Sequence, residues 1–247
     1  AVSGLNVGFI VLIFLLVFGR MNLFFRSGIT IAGLIFYLIL TGATPSVFRA
    51  TVMAVVLIIA YLSNRSTHLI NSIAIAALVI LIVDPNELYD AGFQLSFSAV
   101  ISMMLIYPYI ESIIDQMSVK NKIVKYFLVA IGLSLSAQIG TLPFTFYYFS
   151  KFSTVSLFAN LIVIPAIGLI TGIGIVTLII SPLIPILSIY YGSANNILTG
   201  WLFDIINFAG SLKFSYISIY DYSLLDSILF YAISFMTITL YMKLELK

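Results

Sequence analysis

The feature that most constrains this chain is a series of long apolar segments that repeats along its 247 residues. Hydrophobic residues make up 62% of the sequence and charged residues only 8%, whereas soluble domains carry about a quarter charged residues. A water-soluble fold cannot hide this much apolar surface. Each segment approaches the length of about 20 residues that a helix needs to cross a bilayer. The pattern therefore predicts an integral membrane protein built from helices.

Counting these segments predicts roughly nine transmembrane helices. Their approximate bounds are 2–19, 28–43, 46–62, 69–83, 91–109, 123–142, 154–170, 172–190 and 224–242. Four prolines and three glycines between residues 143 and 190 predict broken helices there, with a pair of kinked packing helices as the alternative. The predicted fold is an all-α polytopic membrane protein with some broken helices.

Residues 194–212 show a different pattern, because polar residues recur there every three to four positions. This spacing predicts one interfacial amphipathic helix on the outer side, with Trp201 at the level of the lipid headgroups. The following residues, KFSYISIYDY, alternate polar and apolar side chains and predict a short extended segment.

Basic residues are divided unequally between the two sides that nine crossings define. With the N-terminus outside, Lys151 and Lys213 fall outside and Arg49 lies in the membrane. The others all fall inside: Arg20, Arg26, Arg65, Lys120, Lys122, Lys125, Lys243 and Lys247. Because cytoplasmic loops carry an excess of lysine and arginine, this bias predicts an outside N-terminus and an inside C-terminus.

An arginine stands near the start of the third apolar segment, in GATPSVFRATVM at residues 42–53. A charge at that depth is costly unless it is paired, hydrated or functional. We expect an ion pair between Arg49 and Asp84, which the predicted topology places at similar depth on the next helix. The alternative is that Arg49 extends to the headgroups and Asp84 only begins the DPNELYD turn.

Polar side chains follow one face of the fifth and of the sixth predicted helix, because they recur at helical spacing. They are Gln94, Ser98 and Ser102 in the fifth, and Ser134, Gln138 and Thr141 in the sixth. Such side chains line a hydrated path or join neighbouring helices by hydrogen bonds, and the sequence favours the second. Asn160 must also face protein or water, because an unsatisfied amide in lipid is costly.

Metal and enzyme chemistry are not expected. The chain has no cysteine and one histidine, His68, which stands at a predicted cytoplasmic helix start and suits a solvated or capping role. We find no adjacent nucleophile and base and no metal-ligand cluster, so we expect no enzymatic activity, no metal and no cofactor. A small-solute or ion transporter, with a central polar site between broken helices, is an alternative function. A structural scaffold is another.

Four stretches of roughly the first 165 residues match segments of one known family in the same order. They are AVSGLNVGFI, GATPSVFRATVM, LVILIVDPNELYDAGFQLSFSAV and TLPFTFYYFSKFSTVSLFANLIVIP. They resemble, in turn, the segments ISGLHVG, PSVxRA, LLxxDPxxLxxxGFQLSF and LPLxxxxFxxxSxxxxxxNLxxxP of the ComEC family of competence membrane proteins. Members of that family are channels that admit single-stranded DNA across the cytoplasmic membrane during natural transformation.

The resemblance maps the family's polar residues onto Arg49, Asp84, Pro85, Gln94 and Asn160. One position departs from the family, which usually has histidine where this chain has Asn6. Asparagine keeps a hydrogen-bonding amide but loses proton and metal chemistry. The residues expected on the DNA path, or in a structural polar core, are Arg49, Asp84, Gln94, Ser98, Gln138, Asn160 and Asn6.

The resemblance also implies a domain organisation, a location and partners. We expect residues 1–247 to be a single transmembrane channel domain from a larger protein, because the family often adds oligonucleotide-binding and nuclease domains. The implied location is the bacterial cytoplasmic membrane. The implied partners are single-stranded DNA, the lipid bilayer, a cytosolic helicase-type motor and DNA-receptor proteins. A homodimer would also fit, because a polyanion that crosses lipid needs a shield several helices wide.

Overall fold

A computed structural model describes residues 4–63, 69–219 and 221–245, which form nine α-helices, one 3₁₀ helix and two short strands. The helices are α1 Gly4–Val17, α2 Leu23–Leu40, α3 Pro45–Leu62, α4 Leu69–Val83, α5 Ala91–Gln116, α6 Lys122–Phe149, α7 Ser156–Ile180, α8 Pro185–Ser211 and α9 Leu224–Glu245. The 3₁₀ helix is Pro85–Tyr89, and the strands are β1 Lys151–Ser153 and β2 Tyr216–Ser218. His68 and Arg65 lie outside the described residues.

Five of the described helices, α2, α3, α5, α6 and α7, are long and apolar enough to cross a membrane. Shorter apolar helical stretches are α1, α4 and the Leu224–Ser234 part of α9. Their apolar side chains are largely exposed, as expected for helices that face lipid rather than water. The chain is therefore an all-α membrane protein, and the prediction of nine crossings remains a prediction.

The helix boundaries differ from the predicted ones mainly after residue 154. α7 continues through residue 171 to Ile180, so 172–190 is not a helix of its own and that prediction was wrong. The break lies at residues 181–184, and α8 then joins the second half of that span to the segment predicted as a separate amphipathic helix. Glycines only lower helix propensity, whereas Pro185 can begin a helix without losing a backbone bond.

The broken helices predicted between residues 143 and 190 are not confirmed at the first two prolines. Pro143 lies inside α6 and Pro165 lies inside α7, and both helices are continuous. Neighbouring groups in a membrane protein can re-satisfy the carbonyl that a helical proline leaves without a donor. The extended segment predicted in KFSYISIYDY is confirmed, because β2 occupies its centre.

The chain divides into two compact units. Unit 1 comprises Ala1–Phe93 and Ile162–Asn207. Its core is formed by Val7, Ile10, Leu34 and Val47, where α1, α2 and α3 meet. α4 packs on α3 and leads into the 3₁₀ helix, so the residues that follow α4 lie near the start of α3, where the polar site described below is formed.

Unit 2 comprises Gln94–Leu161 and Phe208–Lys247. In it, α6 presents a face of small buried residues, Gly132, Ser136 and Gly140, spaced four positions apart. At Gly140 the helices come so close that an added Cβ would overlap the side chain of Ser102 on α5. Small residues permit this close approach of membrane helices, where packing and hydrogen bonds replace the hydrophobic effect.

Candidate functional site

Arg49 is the central residue of the charged site in unit 1. It lies in the second turn of α3, and its side chain is only 6% exposed. Its Nη1 donates to Glu87 Oε2 at 2.7 Å and to Asp90 Oδ1 at 2.8 Å. The ion pair thus links α3 to the short segment between α4 and α5, and we call these three side chains the ionic cluster.

The predicted pair between Arg49 and Asp84 was wrong. Asp84 precedes the 3₁₀ helix, and its Oδ1 accepts from the backbone N and the side-chain Nδ2 of Asn86, at 2.9 and 3.0 Å. A 3₁₀ helix has three residues per turn, so Glu87, three residues after Asp84, lies one turn further along the segment, and Asp90 follows at its end. This places Glu87 and Asp90, rather than Asp84, at the guanidinium.

Asp90 has two roles in the same place. Its Oδ1 accepts from the backbone N of Phe93 at 3.0 Å, so it caps the N-terminus of α5. The adjacent Gly92 leaves room for the guanidinium, because a Cβ there would overlap Arg49 Nη2 and lie 3.0 Å from Asp90 Oδ1. The position of the Arg49 guanidinium therefore depends on Gly92, and no pattern in the sequence links these two residues.

The two carboxylates of the ionic cluster differ in exposure. The side chain of Glu87 is 17% exposed, whereas that of Asp90 is 50% exposed. The pair with Glu87 is thus shielded from water and the pair with Asp90 is screened by it. Within the described residues, Arg49 Nε is buried without a hydrogen-bond partner. Two acids against one base give the cluster a formal excess of negative charge.

Unit 2 holds a network of uncharged polar side chains at the contact between α6 and the start of α7. Gln138 Nε2 donates to Ser134 Oγ at 3.4 Å and to Ser156 Oγ at 3.3 Å. Asn160 Nδ2 donates to Ser134 Oγ at 3.3 Å. We call these four side chains the amide network. Its bonds are at the long end of the range, so each holds the helices only weakly.

The polar side chains predicted on one face of α5 have separate partners. Gln94 Oε1 accepts from Tyr148 Oη at 2.9 Å. Ser98 Oγ donates to the carbonyl of Leu95 in its own helix. Ser102 is buried and donates to the carbonyl of Ser136 on α6 at 2.6 Å. This bond joins α5 to α6, as expected for polar side chains that hold neighbouring helices together.

The structure places one predicted site residue, Asn6, outside both polar sites. Asn6 is half-buried in α1, and its side chain has no hydrogen-bond partner within the described part of the chain.

Ser98 and Ser102 also line a cavity of about 350 Å³ between α5, α6 and α9, whose other polar members are Tyr231 and Ser234. The described residues contain no group of three His, Cys, Asp or Glu side chains that could hold a metal ion.

Sequence reasoning missed Glu87, Asp90, Gly92, Tyr148 and Ser156 as members of these sites. The three-residue spacing of acids in DPNELYD, after a proline that can begin a helix, was a signal for the first two. The remaining three could not be identified, because they are defined by contacts between distant segments.

Comparison with known proteins gives two matches. The family described as "Competence protein" matches residues 1–244. ComE operon protein 3 of Bacillus subtilis (strain 168) is 33% identical over 176 residues, which are 67% of this chain and 20% of that protein. The matched region thus spans a fifth of the relative's length. No solved structure matches the chain.

Proposed function

We propose that this chain, which belongs to the Competence protein family, forms a membrane passage through which single-stranded DNA enters the cell during natural transformation. The observation that carries the proposal is the ionic cluster: a buried arginine near a helix start, held by one shielded and one half-exposed carboxylate. The proposal involves no enzymatic step and no cofactor. A cytosolic helicase-type motor would supply the pull.

The ionic cluster has the properties that conduction of a polyanion requires. A free guanidinium binds phosphate tightly through two parallel hydrogen bonds, and a strand held in that way would stall. In this chain both hydrogens of Nη1 are already donated to carboxylates. A phosphate can compete for Arg49 by displacing Asp90, the half-exposed partner, while Glu87 remains. A binding site that is favourable but weak lets the strand enter and leave.

The amide network of unit 2 offers the passage uncharged polar side chains. Amides and hydroxyls can exchange their long mutual hydrogen bonds for bonds to bases or phosphates at little cost. Gln138 and Asn160 would serve this role in unit 2, and Gln94 would do so near the start of α5. Asp84, Ser98 and Asn6 are assigned to the polar surroundings of the path.

The pairing of β1 with β2 supports the proposed orientation. These strands precede α7 and follow α8, so the chain returns to the same end of unit 2 after those two helices. If α7 and α8 each cross the membrane once, the chain returns to the side from which it started, so Lys151 and Lys213 lie on the same side. The predicted topology of nine crossings places both of them outside. In the orientation that the charge distribution predicts, the N-terminus is outside the cytoplasmic membrane and the C-terminus inside.

Crosslinking to a translocating strand tests the passage directly. Residues 1–247 contain no cysteine, so a single cysteine introduced among them is the one thiol of this region. We expect Gln138→Cys and Asn160→Cys to react with a thiol-reactive single-stranded DNA stalled during uptake. Phe158→Cys is the matched control, because it lies two residues from Asn160 on α7 and is 63% exposed. Equal reaction at all three positions, or none at the first two, contradicts the passage.

Transformation tests the role of Arg49. In a competent host whose only copy carries Arg49→Leu, we expect internalised DNA to collapse while DNA bound at the cell surface is unchanged. Membrane abundance is measured in parallel, and Arg49→Lys keeps the charge if the leucine variant does not accumulate. Normal transformation by an abundant Arg49→Leu protein would remove Arg49 from the path. Solute flux without any dependence on DNA would instead favour a small-solute transporter.

A further inference from the structure

The two-stranded sheet of unit 2 presents a face that the passage does not use. β1 and β2 are antiparallel, with Lys151 opposite Ser218 and Ser153 opposite Tyr216. Because side chains alternate along a strand, these four residues share one face. Phe152 and its partner Ile217 point to the other.

Exposed aromatic rings and lysines lie on this face and in the residues just before β2. Lys151 Nζ lies 5.2 Å from the centre of the Tyr216 ring, within range of a cation–π contact. Tyr216 is 54% exposed, and Phe214, which precedes β2, is 70% exposed. Lys213 is exposed next to Phe214. These two lysines are the only ones that the charge analysis of the sequence assigns to the outer side.

The backbone that carries these rings is firmly attached. The buried ring of Phe146 on α6 contacts Phe152 and Tyr222, with centroids 6.0 and 5.5 Å apart. Beside the sheet, the backbone N of Thr154 donates to the Ser215 carbonyl at 3.1 Å, and Thr154 Oγ1 donates to the Phe214 carbonyl. Exposed rings on a fixed backbone give stacking surface at little cost in conformational entropy.

We propose that Lys151, Lys213, Phe214 and Tyr216 form a landing surface for single-stranded DNA, with bases stacked on the rings and phosphates attracted to the lysines. The inference rests on the proposed function and adds the place where the strand is first held. A belt that faces lipid headgroups requires only amphipathic rings, whereas here Lys151 lies over the Tyr216 ring and Lys213 directly precedes Phe214 in the chain. Rings and cations together are complementary to a strand of bases and phosphates, and every base has a face that can stack.

Binding measurements on the full chain in lipid nanodiscs test the landing surface. The probes are a fluorescent oligothymidylate and an abasic strand of the same length, which has the phosphates but no bases. We expect Tyr216→Ala to weaken oligothymidylate binding about tenfold, within the range for one base–aromatic contact, and to leave abasic binding unchanged. Lys151→Gln should weaken both strands alike.

Two control variants separate stacking from general damage. Tyr216→Phe keeps the ring and should bind oligothymidylate as the native chain does. Tyr126→Ala removes a ring of similar exposure, 57%, from the second turn of α6, near its other end, and should change nothing. Native binding by Tyr216→Ala, or equal loss of both strands, would overturn the landing surface. The landing surface would also be overturned if Tyr216→Ala were recovered in nanodiscs at a lower yield but bound oligothymidylate with unchanged affinity. The ring would then anchor the chain in lipid.

The landing surface and the passage can fail separately. If the native chain does not bind oligothymidylate but crosslinks at residues 138 and 160 during uptake, the landing surface is wrong and the passage stands. If oligothymidylate binding depends on Tyr216 but no crosslinking occurs, the passage is wrong and the landing surface stands.

Discussion

The two units bury polar side chains in different ways. Unit 1 buries a full charge and surrounds it with two carboxylates at 2.7 and 2.8 Å. Unit 2 holds the half-buried, uncharged side chains of the amide network, whose mutual bonds are 3.3 to 3.4 Å long. A buried charge must be paired closely because its desolvation is so costly, whereas a neutral amide tolerates loose partners. The same membrane environment therefore produces one strong cluster and one weak network.

This difference predicts that the ionic cluster dominates the polar contribution to stability. Removal of Arg49 leaves the largely buried Glu87 without a partner. We expect Arg49→Leu to lower the free energy of unfolding by about 3–5 kcal/mol, measured by denaturant titration in mixed micelles. The double variant Arg49→Met with Glu87→Met should recover most of that loss, because a buried ion pair can be replaced by packed apolar groups. Equal stability of the single and double variants would contradict the pairing.

In unit 2 the largest effect is expected from packing rather than from polar bonds. A Cβ at Gly140 would overlap Ser102 Cβ and lie 2.5 Å from the Ser98 carbonyl oxygen, so α5 and α6 must separate. We expect Gly140→Ala to cost about 1–3 kcal/mol in the same titration. Gly172→Ala is the control, because no atom lies within 4 Å of its added Cβ. If both variants are equally stable, the close approach of α5 and α6 is wrong.

Gly92 allows the ionic cluster to be probed without removal of a charge. Its added Cβ would overlap Arg49 Nη2, the far end of a long side chain that can shift. We expect Gly92→Ala to cost about 1 kcal/mol, at the low end for overpacking. In the Arg49→Leu background the same change should cost less, since the overlapping atom is gone and only the 3.0 Å contact with Asp90 Oδ1 remains. A cost that is identical in both backgrounds would place the strain elsewhere.

The smallest effect is expected in the amide network. Hydrogen bonds between membrane helices contribute about 0.6 kcal/mol on average, so Gln138→Ala should lower the free energy of unfolding by roughly that amount. Ser211→Ala, whose hydroxyl donates to the Phe208 carbonyl of its own helix, serves as the control and should be neutral. A loss for Gln138→Ala as large as that for Arg49→Leu would remove the distinction between the two units.

The sequence predicted most of the helical organisation correctly. Residues 69–83 were predicted as one helix and are α4, and the predicted span 46–62 differs from α3 by one residue at its start. The segments after residue 154 were harder, because prolines and glycines were taken as breaks. Pro165 lies inside α7, and no local signal distinguishes a tolerated helical proline from one that ends a helix.

By itself, the sequence determined that this chain is a helical membrane protein of the competence family and that the charge of Arg49 must be paired, hydrated or extended to the headgroups. Composition and periodicity are local properties, and burial of a charge in an apolar helix has the same cost in any fold. Only the tertiary structure decided that the partners are Glu87 and Asp90 and that Gly92 leaves room for the guanidinium. That choice depends on how far the 3₁₀ helix carries successive carboxylates along the segment and on how closely two helix ends approach, and the spacing of the acids does not show which of them reaches Arg49.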